Sequence, residues 1–259
     1  MIPLATTSPS APTVPSVPVR APLMSPEELA EVNARLEGHS AETVLRWAVE
    51  KFQPKLLFST AFGAEGCCLI HILAGIDPTV KMINLDTGYQ FAETLAVRDA
   101  IRERYGIDVE LVRPDRSVAE YEADHGGPLY RIRPDQCCYD RKIIPLRRAV
   151  VGYDAWISSI RRDQTSHRAA ALPVQWDAKF GLVKINPILN WTHKDVWKFV
   201  ADHDVPYNRL HNEGYPSIGC WPCTASVNPG EDERAGRWAG SKKKECGLHV
   251  VEHAEGSGI

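Results

Sequence analysis

The chain has 259 residues, of which 44% are hydrophobic and 24% are charged, and its formal net charge is −3. This length suits one substantial α/β domain with appendages, and no stretch is long and apolar enough to span a membrane. Because the net charge is small, the chain has no overall attraction to nucleic acid, and recognition of an anion has to be local.

Residues 1–25 differ from the rest of the chain in composition. They are rich in Pro, Ser, Thr and Ala, and prolines interrupt the apolar pairs, so we expect a disordered leader rather than a secretory signal. The alternative is an organelle transit peptide. Such peptides are rich in Arg, and the single Arg of this stretch argues against one. Without an export signal, the seven cysteines are expected in a reducing cytoplasm, where metal binding or catalysis outranks structural disulfides.

Apolar β-rich segments alternate with amphipathic helical segments after the leader. Ser25 and Ser40 each precede a helical pattern and have the side chain that caps a helix N-terminus. This alternation predicts an α/β fold, with a mostly parallel sheet and helices on both faces. The predicted strands cover residues 55–59, 80–85, 108–112, 155–159 and 182–185, and the predicted helices cover residues 66–75, 91–105, 136–150 and 192–203.

Small polar residues follow two consecutive predicted strands. The stretch "LLFSTAFGAEG" is a strand, a Ser/Thr/Gly loop and the start of a helix, which directs N–H groups at an anion beyond the carboxyl end of the sheet. Asp86, Thr87 and Gly88 follow the next strand. Each could be an ordinary turn, and Asp86 could simply cap a helix. Together they favour a nucleotide crevice in a domain of residues 26–205.

The cysteines indicate a metal centre. Cys137 and Cys138 are adjacent, and Cys220 and Cys223 form "CWPC" downstream. Four thiolates suit zinc or an iron–sulfur cluster. Adjacent residues on a helix point roughly 100° apart, which is awkward for one ion but natural for two irons of a [4Fe–4S] cluster. The cluster is therefore the favoured interpretation and zinc the alternative.

Cys67 and Cys68 lie within an apolar helical pattern and are interpreted as buried core residues. Cys246 stands apart in "KKKECGLH". The preceding lysines would lower its pKa and favour the nucleophilic thiolate, although a lysine run is also common on a solvated surface. His249 follows three residues later, in a C-terminal segment of residues 206–259 that has little periodicity and is expected to fold over the main domain.

Basic residues accompany these motifs. Arg161 and Arg162 follow a predicted strand, and Lys142 lies four residues beyond Cys138. Arg234 and Arg237 would share one face of a helix. Any of them could be a surface charge, but together they suggest a strongly anionic substrate, because guanidinium groups match phosphate and sulfate oxygens.

The chain resembles the assimilatory adenylyl-sulfate reductases, in the family that also contains the phosphoadenylyl-sulfate reductases. The resemblance runs from about residue 40 to residue 250. It implies an adenine-nucleotide α-hydrolase-like fold with a flexible C-terminal segment. The motifs that carry it are "STAFGAEG", "LDTGY", "CCYDRK", "RRDQ", "GCWPCT", "ERAGRW" and "ECGLH", in that order.

This resemblance also implies a reaction. Cys246 would attack the sulfur of adenosine 5′-phosphosulfate, expel AMP and hold a cysteine S-sulfonate, from which thioredoxin or a similar dithiol would release sulfite. The four paired cysteines would hold a [4Fe–4S] cluster, and Lys142 would connect the field of that cluster to the phosphosulfate.

The resemblance assigns the substrate contacts as well. The nucleotide would be held by Ser59, Thr60, Gly63, Glu65, Leu85, Asp86, Thr87 and Gly88. The sulfate would be surrounded by Arg161 or Arg162, Arg234, Arg237 and His249. The form "LDTGYQF" leans towards the phosphoadenylyl branch, so a phosphoadenylyl-sulfate or dual-specificity reductase is an alternative.

Two readings from other classes stay open. An iron–sulfur RNA thiolation enzyme could use a related fold, but "KKKECGLH" has no role there. A non-catalytic iron–sulfur regulator would explain four cysteines but not the nucleotide loops. Sulfite release from adenylyl sulfate and a thiol separates all three. The sequence leaves open whether the chain forms a homo-oligomer.

Overall fold

The computed structural model describes residues 20–241 and 243–249. Most of the expected leader (residues 1–19), Lys242 and the last residues of the C-terminal segment lie outside the described residues. Helix α1 (Pro26–Leu36) begins after Ser25, whose side chain accepts a hydrogen bond from Glu28 N–H. Helix α2 (Ala41–Phe52) begins after Ser40 in the same way, so both predicted N-caps are confirmed.

Six strands form one sheet in the order β3-β2-β1-β4-β6-β5. All neighbours are parallel except the last pair, β5 and β6, which are antiparallel. The predicted mostly parallel α/β sheet is therefore confirmed. The strands are β1 (Leu56–Ser59), β2 (Lys81–Leu85), β3 (Glu110–Val112), β4 (Ala155–Ile157), β5 (Val174–Asp177) and β6 (Leu182–Ile185).

Helices cover both faces of this sheet. Alternate residues of a strand face opposite sides, so each buried strand contributes apolar side chains to both faces. Leu56 and Phe58 belong to one buried cluster, whereas Leu57 and Trp156 belong to a second cluster on the other face. The helices after α2 are α3 (Ala64–Ile76), α4 (Ala92–Tyr105), α5 (Val118–His125), α6 (Leu129–Ile132), α7 (Pro134–Cys138), α8 (Ile144–Ala149), α9 (Ser166–Ala169) and α10 (His193–His203). None of the described helices is long and apolar enough to cross a membrane.

Two expectations about these elements were wrong. Strand β5 was not predicted; it is a short edge strand, and only its pairing with β6 defines it. The single helix expected over residues 136–150 is interrupted by a π-helical turn, Tyr139–Ile143, between α7 and α8. There Ile144 N–H donates to Tyr139 O, and Pro145 has no N–H with which to continue an α-helical ladder.

Candidate active site

The carboxyl ends of β1 and β2 lie side by side at one edge of the sheet. Thr60, just after β1, is buried, and its Oγ1 accepts a hydrogen bond from Phe62 N–H at 3.0 Å. Gly63 is the N-cap of α3 and has no side chain to satisfy the first N–H groups of that helix. The free N–H groups of such a loop and helix start suit an anion at this edge.

The residues that follow β2 contact the loop that carries Cys220 and Cys223. Thr87 Oγ1 lies 3.2 Å from Cys220 Sγ, and Gly88 takes a positive φ of 76° that favours glycine. Asp86 accepts hydrogen bonds from Gly88 N–H at 3.0 Å and from Arg113 Nε at 2.8 Å. The carboxylate of Asp86 is therefore engaged within the fold, and the carbonyl oxygen of Leu85 accepts from Gln90 Nε2.

Two pairs of cysteines that are far apart in sequence line one cavity, namely Cys137 with Cys138 and Cys220 with Cys223. The first pair ends helix α7. In the second pair, Cys220 precedes a 3₁₀ turn over Trp221–Cys223 and Cys223 ends it. This turn is attached to the β2 edge, because Trp221 N–H donates to Tyr89 O at 2.8 Å.

The cavity is an unfavourable place for four bare thiolates. Burial, with the charges of its cysteine neighbours, raises the pKa of Cys137 to about 12, and burial does the same for Cys223, to about 11. A cationic group bound among the sulfurs would relieve this cost. Within the described residues no three or more His, Cys, Asp or Glu side chains are grouped as ligands of a single metal ion. Four thiolates that line one cavity are a donor set that suits zinc or an iron–sulfur cluster.

Lys142 lines the same cavity and connects it electrostatically to Cys246. Burial lowers the pKa of Lys142, but the facing sulfurs of Cys220, Cys138 and Cys246 outweigh it and raise that pKa. Conversely, burial raises the pKa of Cys246, but the Lys142 ammonium and a hydrogen bond from Leu248 N–H lower it overall. The structure therefore brings Cys246 within electrostatic reach of Lys142, as a thiol that ionises more readily than usual.

The segment of residues 243–249 is folded onto the domain. Lys179 Nζ donates to Gly247 O at 2.7 Å, and Leu248 packs against the second buried cluster. The His249 ring stacks on Trp156, with centroids 5.8 Å apart. Burial lowers the pKa of His249 well below its usual value, and the nearby Lys184 lowers it further, which keeps this imidazole neutral.

Arg234 and Arg237 lie beside this segment. Arg234 Nη2 donates to Lys244 O at 3.1 Å, and Arg237 Nη1 contacts Ser217 Oγ at 3.3 Å. Among the described residues, the Nε atoms of both arginines and Nδ1 of His249 are buried and have no hydrogen-bond partner. Buried donors of this kind suit a ligand that accepts hydrogen bonds, and an anion would suit the two guanidinium groups.

The adjacent arginines Arg161 and Arg162 point to different places. Arg161 is buried and bonds to Glu65, to Asp163 at 2.9 Å and to Glu233 at 3.1 Å. Arg162 bonds instead to Glu37, Asn190 and the carbonyl oxygen of Ala171. These contacts hold Arg162 away from Cys246. The predicted role of Arg162 in binding sulfate stays a prediction that its contacts do not support.

Sequence reasoning missed two residues of this region, Arg168 and Glu245. They form a buried ion pair next to Cys246, with Arg168 Nη2 2.9 Å from Glu245 Oε2. The available signals were an arginine at the end of "RRDQTSHR" and a glutamate directly before Cys246, but neither pattern indicates that the two residues meet.

Comparison with known proteins gives one family. Residues 55–226 match the phosphoadenosine phosphosulfate reductase domain. The chain is 42% identical over 217 residues to the adenosine 5′-phosphosulfate reductase of Oceanobacillus iheyensis, covering 83% of this chain and 90% of that protein. It is 45% identical over 217 residues to the phosphoadenosine 5′-phosphosulfate reductase of Gloeobacter violaceus, with the same coverage.

The similarity to a solved structure points to the same family. The phosphate complex of phosphoadenylyl-sulfate reductase from Candida auris superimposes with a TM-score of 0.70 at 30% identity. The superposition covers 79% of this chain and 98% of that one. The predicted fold class is therefore confirmed.

Proposed function

The chain belongs to the phosphoadenosine phosphosulfate reductase family, and from that premise we propose that it reduces adenosine 5′-phosphosulfate to sulfite and AMP with electrons from a thiol. The relatives named adenosine 5′-phosphosulfate reductase support an oxidoreductase that acts on this nucleotide, in sulfate assimilation. The observation that carries the proposal is the position of Cys246, whose pKa is lowered by Lys142 at the cysteine-lined cavity.

The first step uses Cys246 as the nucleophile. Its thiolate attacks the sulfur of the phosphosulfate, the bond from that sulfur to the bridging oxygen breaks, and AMP leaves with the bond electrons. The sulfonate group stays on Cys246 Sγ. Lys142, Arg234 and Arg237 offset the negative charge that builds up on the leaving phosphate and on the sulfonate oxygens.

The second step consumes a dithiol, for which thioredoxin or a similar protein is the proposed partner. One of its thiolates attacks Cys246 Sγ and forms a mixed disulfide, and sulfite leaves with the electrons of the old sulfur–sulfur bond. The second thiol then resolves the mixed disulfide and regenerates the Cys246 thiolate. The dithiol is oxidised by two electrons, and the sulfonate sulfur is reduced by two.

The nucleotide portion is assigned to the strand-end loops. In this proposal Ser59, Thr60, Gly63 and Glu65 hold it from one side. The segment Leu85, Asp86, Thr87 and Gly88 holds it from the other. The support is that both loops lie at the same sheet edge, where open α/β folds bind nucleotides.

We propose a [4Fe–4S] cluster as the resident cofactor, with ligands Cys137, Cys138, Cys220 and Cys223. The four thiols fit it, since they line one cavity and four thiolates are the ligand set of such clusters. When bound, the cluster would supply a local negative charge that attracts the Lys142 ammonium and helps to keep it charged and in place beside the cavity.

Sulfite release tests the proposed function. The wild-type protein, purified anaerobically, is mixed with adenosine 5′-phosphosulfate and a dithiol, and sulfite and AMP are measured. Cys246→Ser should release neither, because a hydroxyl is a far poorer nucleophile than a thiolate at neutral pH. Cys67→Ala, in the buried core, is the matched control and should retain activity. Absence of sulfite from the wild type would contradict the proposal and favour the RNA thiolation or regulatory readings.

The 3′-phosphorylated nucleotide is the second candidate substrate. It is favoured by the 45% identity to a relative named phosphoadenosine 5′-phosphosulfate reductase and by the form "LDTGYQF".

A further inference from the structure

A buried carboxylate precedes Cys246 and is bound from several sides. Arg168 Nε donates to Glu245 Oε1 at 2.9 Å, and Arg168 Nη2 donates to Glu245 Oε2 at 2.9 Å. Thr165 Oγ1 donates to the same carboxylate at 3.1 Å. Both Arg168 and Glu245 are only 7% exposed. This is a forked pair of charge-assisted hydrogen bonds, the geometry in which guanidinium and carboxylate bind most strongly.

The pair joins two elements that are distant in sequence. Arg168 belongs to α9, which follows β4 and the Arg161 turn, whereas Glu245 belongs to the C-terminal segment. The remaining Nη1 of Arg168 donates to Gln164. With Glu245 in place, each nitrogen of the Arg168 guanidinium donates at least one hydrogen bond. The Glu245 carboxylate also neutralises its charge, which makes Arg168 a weaker partner for an anionic substrate.

We propose that Glu245 is a positioning residue that latches the C-terminal segment to Arg168 and so sets Cys246 beside Lys142. The latch deepens the proposed function and rests on it in assigning Cys246 as the nucleophile. The pair acts through the location of the thiol and does not itself touch the reacting atoms.

The latch has a consequence for access to Cys246. A dithiol has to reach Cys246 Sγ after the first step, yet Cys246 is partly buried in this arrangement. Opening the segment would separate Glu245 from Arg168 and leave the buried Arg168 guanidinium without its charged partner, which is costly. The ion pair therefore favours the closed arrangement, and its loss should expose Cys246.

Alkylation of Cys246 tests the latch without requiring activity. Cluster-loaded full-length protein is treated anaerobically with iodoacetamide, and peptide mass spectrometry measures the rate of modification at Cys246. Glu245→Gln and Arg168→Gln should each raise this rate by about tenfold or more, because each breaks a charge-assisted buried pair. Glu93→Gln, which breaks the surface pair with Arg209, is the matched control and should leave the rate unchanged.

The two variants distinguish loss of the latch from a direct effect of the two charges on the pKa of Cys246. The charge of Glu245 raises the pKa of Cys246, and the charge of Arg168 lowers it. A direct effect on thiolate formation would therefore accelerate alkylation in Glu245→Gln and slow it in Arg168→Gln. Loss of the latch accelerates both. The double variant should match the single variants rather than multiply their effects. Opposite changes, or no change, would overturn the latch.

Two further readouts complete the test. The reversed pair Arg168→Glu with Glu245→Arg should recover part of the protection, which a merely misfolded site would not. In sulfite release, Glu245→Gln should lower kcat more than it changes KM for the nucleotide, and equal kcat would contradict a positioning role. If the wild type releases no sulfite while the alkylation rates behave as expected, the proposed function fails and the latch stands.

Discussion

The imidazole of His249 lies parallel to the indole of Trp156, with 5° between their planes. Trp156 is a fully buried residue of the central strand β4, so this stack attaches the C-terminal segment to the middle of the sheet. The contacts of Lys179 with Gly247 and of Arg168 with Glu245 hold the residues on either side of Cys246. Cys246, the proposed nucleophile, therefore lies on a segment that is bound at three successive points.

The first prediction concerns the covalent intermediate. Wild-type protein mixed with adenosine 5′-phosphosulfate in the absence of a dithiol should gain one sulfonate on Cys246, because the second step cannot proceed. Peptide mass spectrometry locates the adduct. Cys246→Ser should remain unmodified while keeping its iron. An adduct on Cys67 or Cys68, whose thiols are fully buried, would refute the assignment.

The second prediction concerns the cofactor. Anaerobically purified protein should be brown and contain about four irons and four sulfides per chain, as four-thiolate cubane clusters do. Cys137→Ser should lose the iron and most of the activity, because it removes one ligand from the cavity. Iron and acid-labile sulfide assays measure both. Stoichiometric zinc without sulfide would show that the four cysteines hold a different metal.

The third prediction concerns Lys142 and the pH dependence of Cys246. The Lys142 ammonium lowers the pKa of Cys246, so Lys142→Met should raise that pKa and shift the pH profile of Cys246 alkylation to higher pH. Lys142→Arg keeps the positive charge and should remain close to the wild type. Iron content is measured in parallel to verify that the cavity is intact. An unshifted profile in Lys142→Met would exclude Lys142 as the activating cation.

The fourth prediction concerns substrate choice. Adenosine 5′-phosphosulfate should be preferred over its 3′-phosphorylated form, because several similar relatives are named adenosine 5′-phosphosulfate reductase. A 3′-phosphate also needs its own cationic partner, and Arg161 is already bonded to three carboxylates. The ratio of kcat/KM for the two nucleotides, with thioredoxin as reductant, measures the discrimination. A ratio that favours the 3′-phosphorylated form would reassign the substrate and leave Cys246 as the nucleophile.

The fifth prediction concerns the loop that presents Cys223 and Arg237. A Cβ on Gly236 would collide with the backbone oxygen of Ala225, which cannot move aside as a flexible side chain would. Gly236→Ala should therefore lower the free energy of unfolding by about 1–3 kcal/mol and reduce bound iron. Gly75→Ala, at an exposed position near the end of α3 with open space around it, is the control. Thermal unfolding compares the two, and equal transition temperatures would contradict the packing argument.

Sequence by itself determined the features that depend on local chemistry. The alternation of apolar runs with helical patterns predicted the mostly parallel sheet, because side-chain periodicity reports which face of an element is buried. Ser25 and Ser40 were predicted as N-caps because a cap is made within a single turn of chain. Cys137, Cys138 and the CxxC motif predicted one shared metal site, because four thiolates suit a single zinc or iron–sulfur centre.

Tertiary structure alone decided which side chains meet. Strand β5 exists through pairing with β6. Arg162 bonds to Glu37, whereas its neighbour Arg161 bonds to Glu65, Asp163 and Glu233. The contact between Arg168 and Glu245 joins residues that are 77 positions apart in the sequence, and no local pattern specifies it. Such contacts depend on how the whole chain packs, because a buried charge finds its partner in space rather than along the sequence.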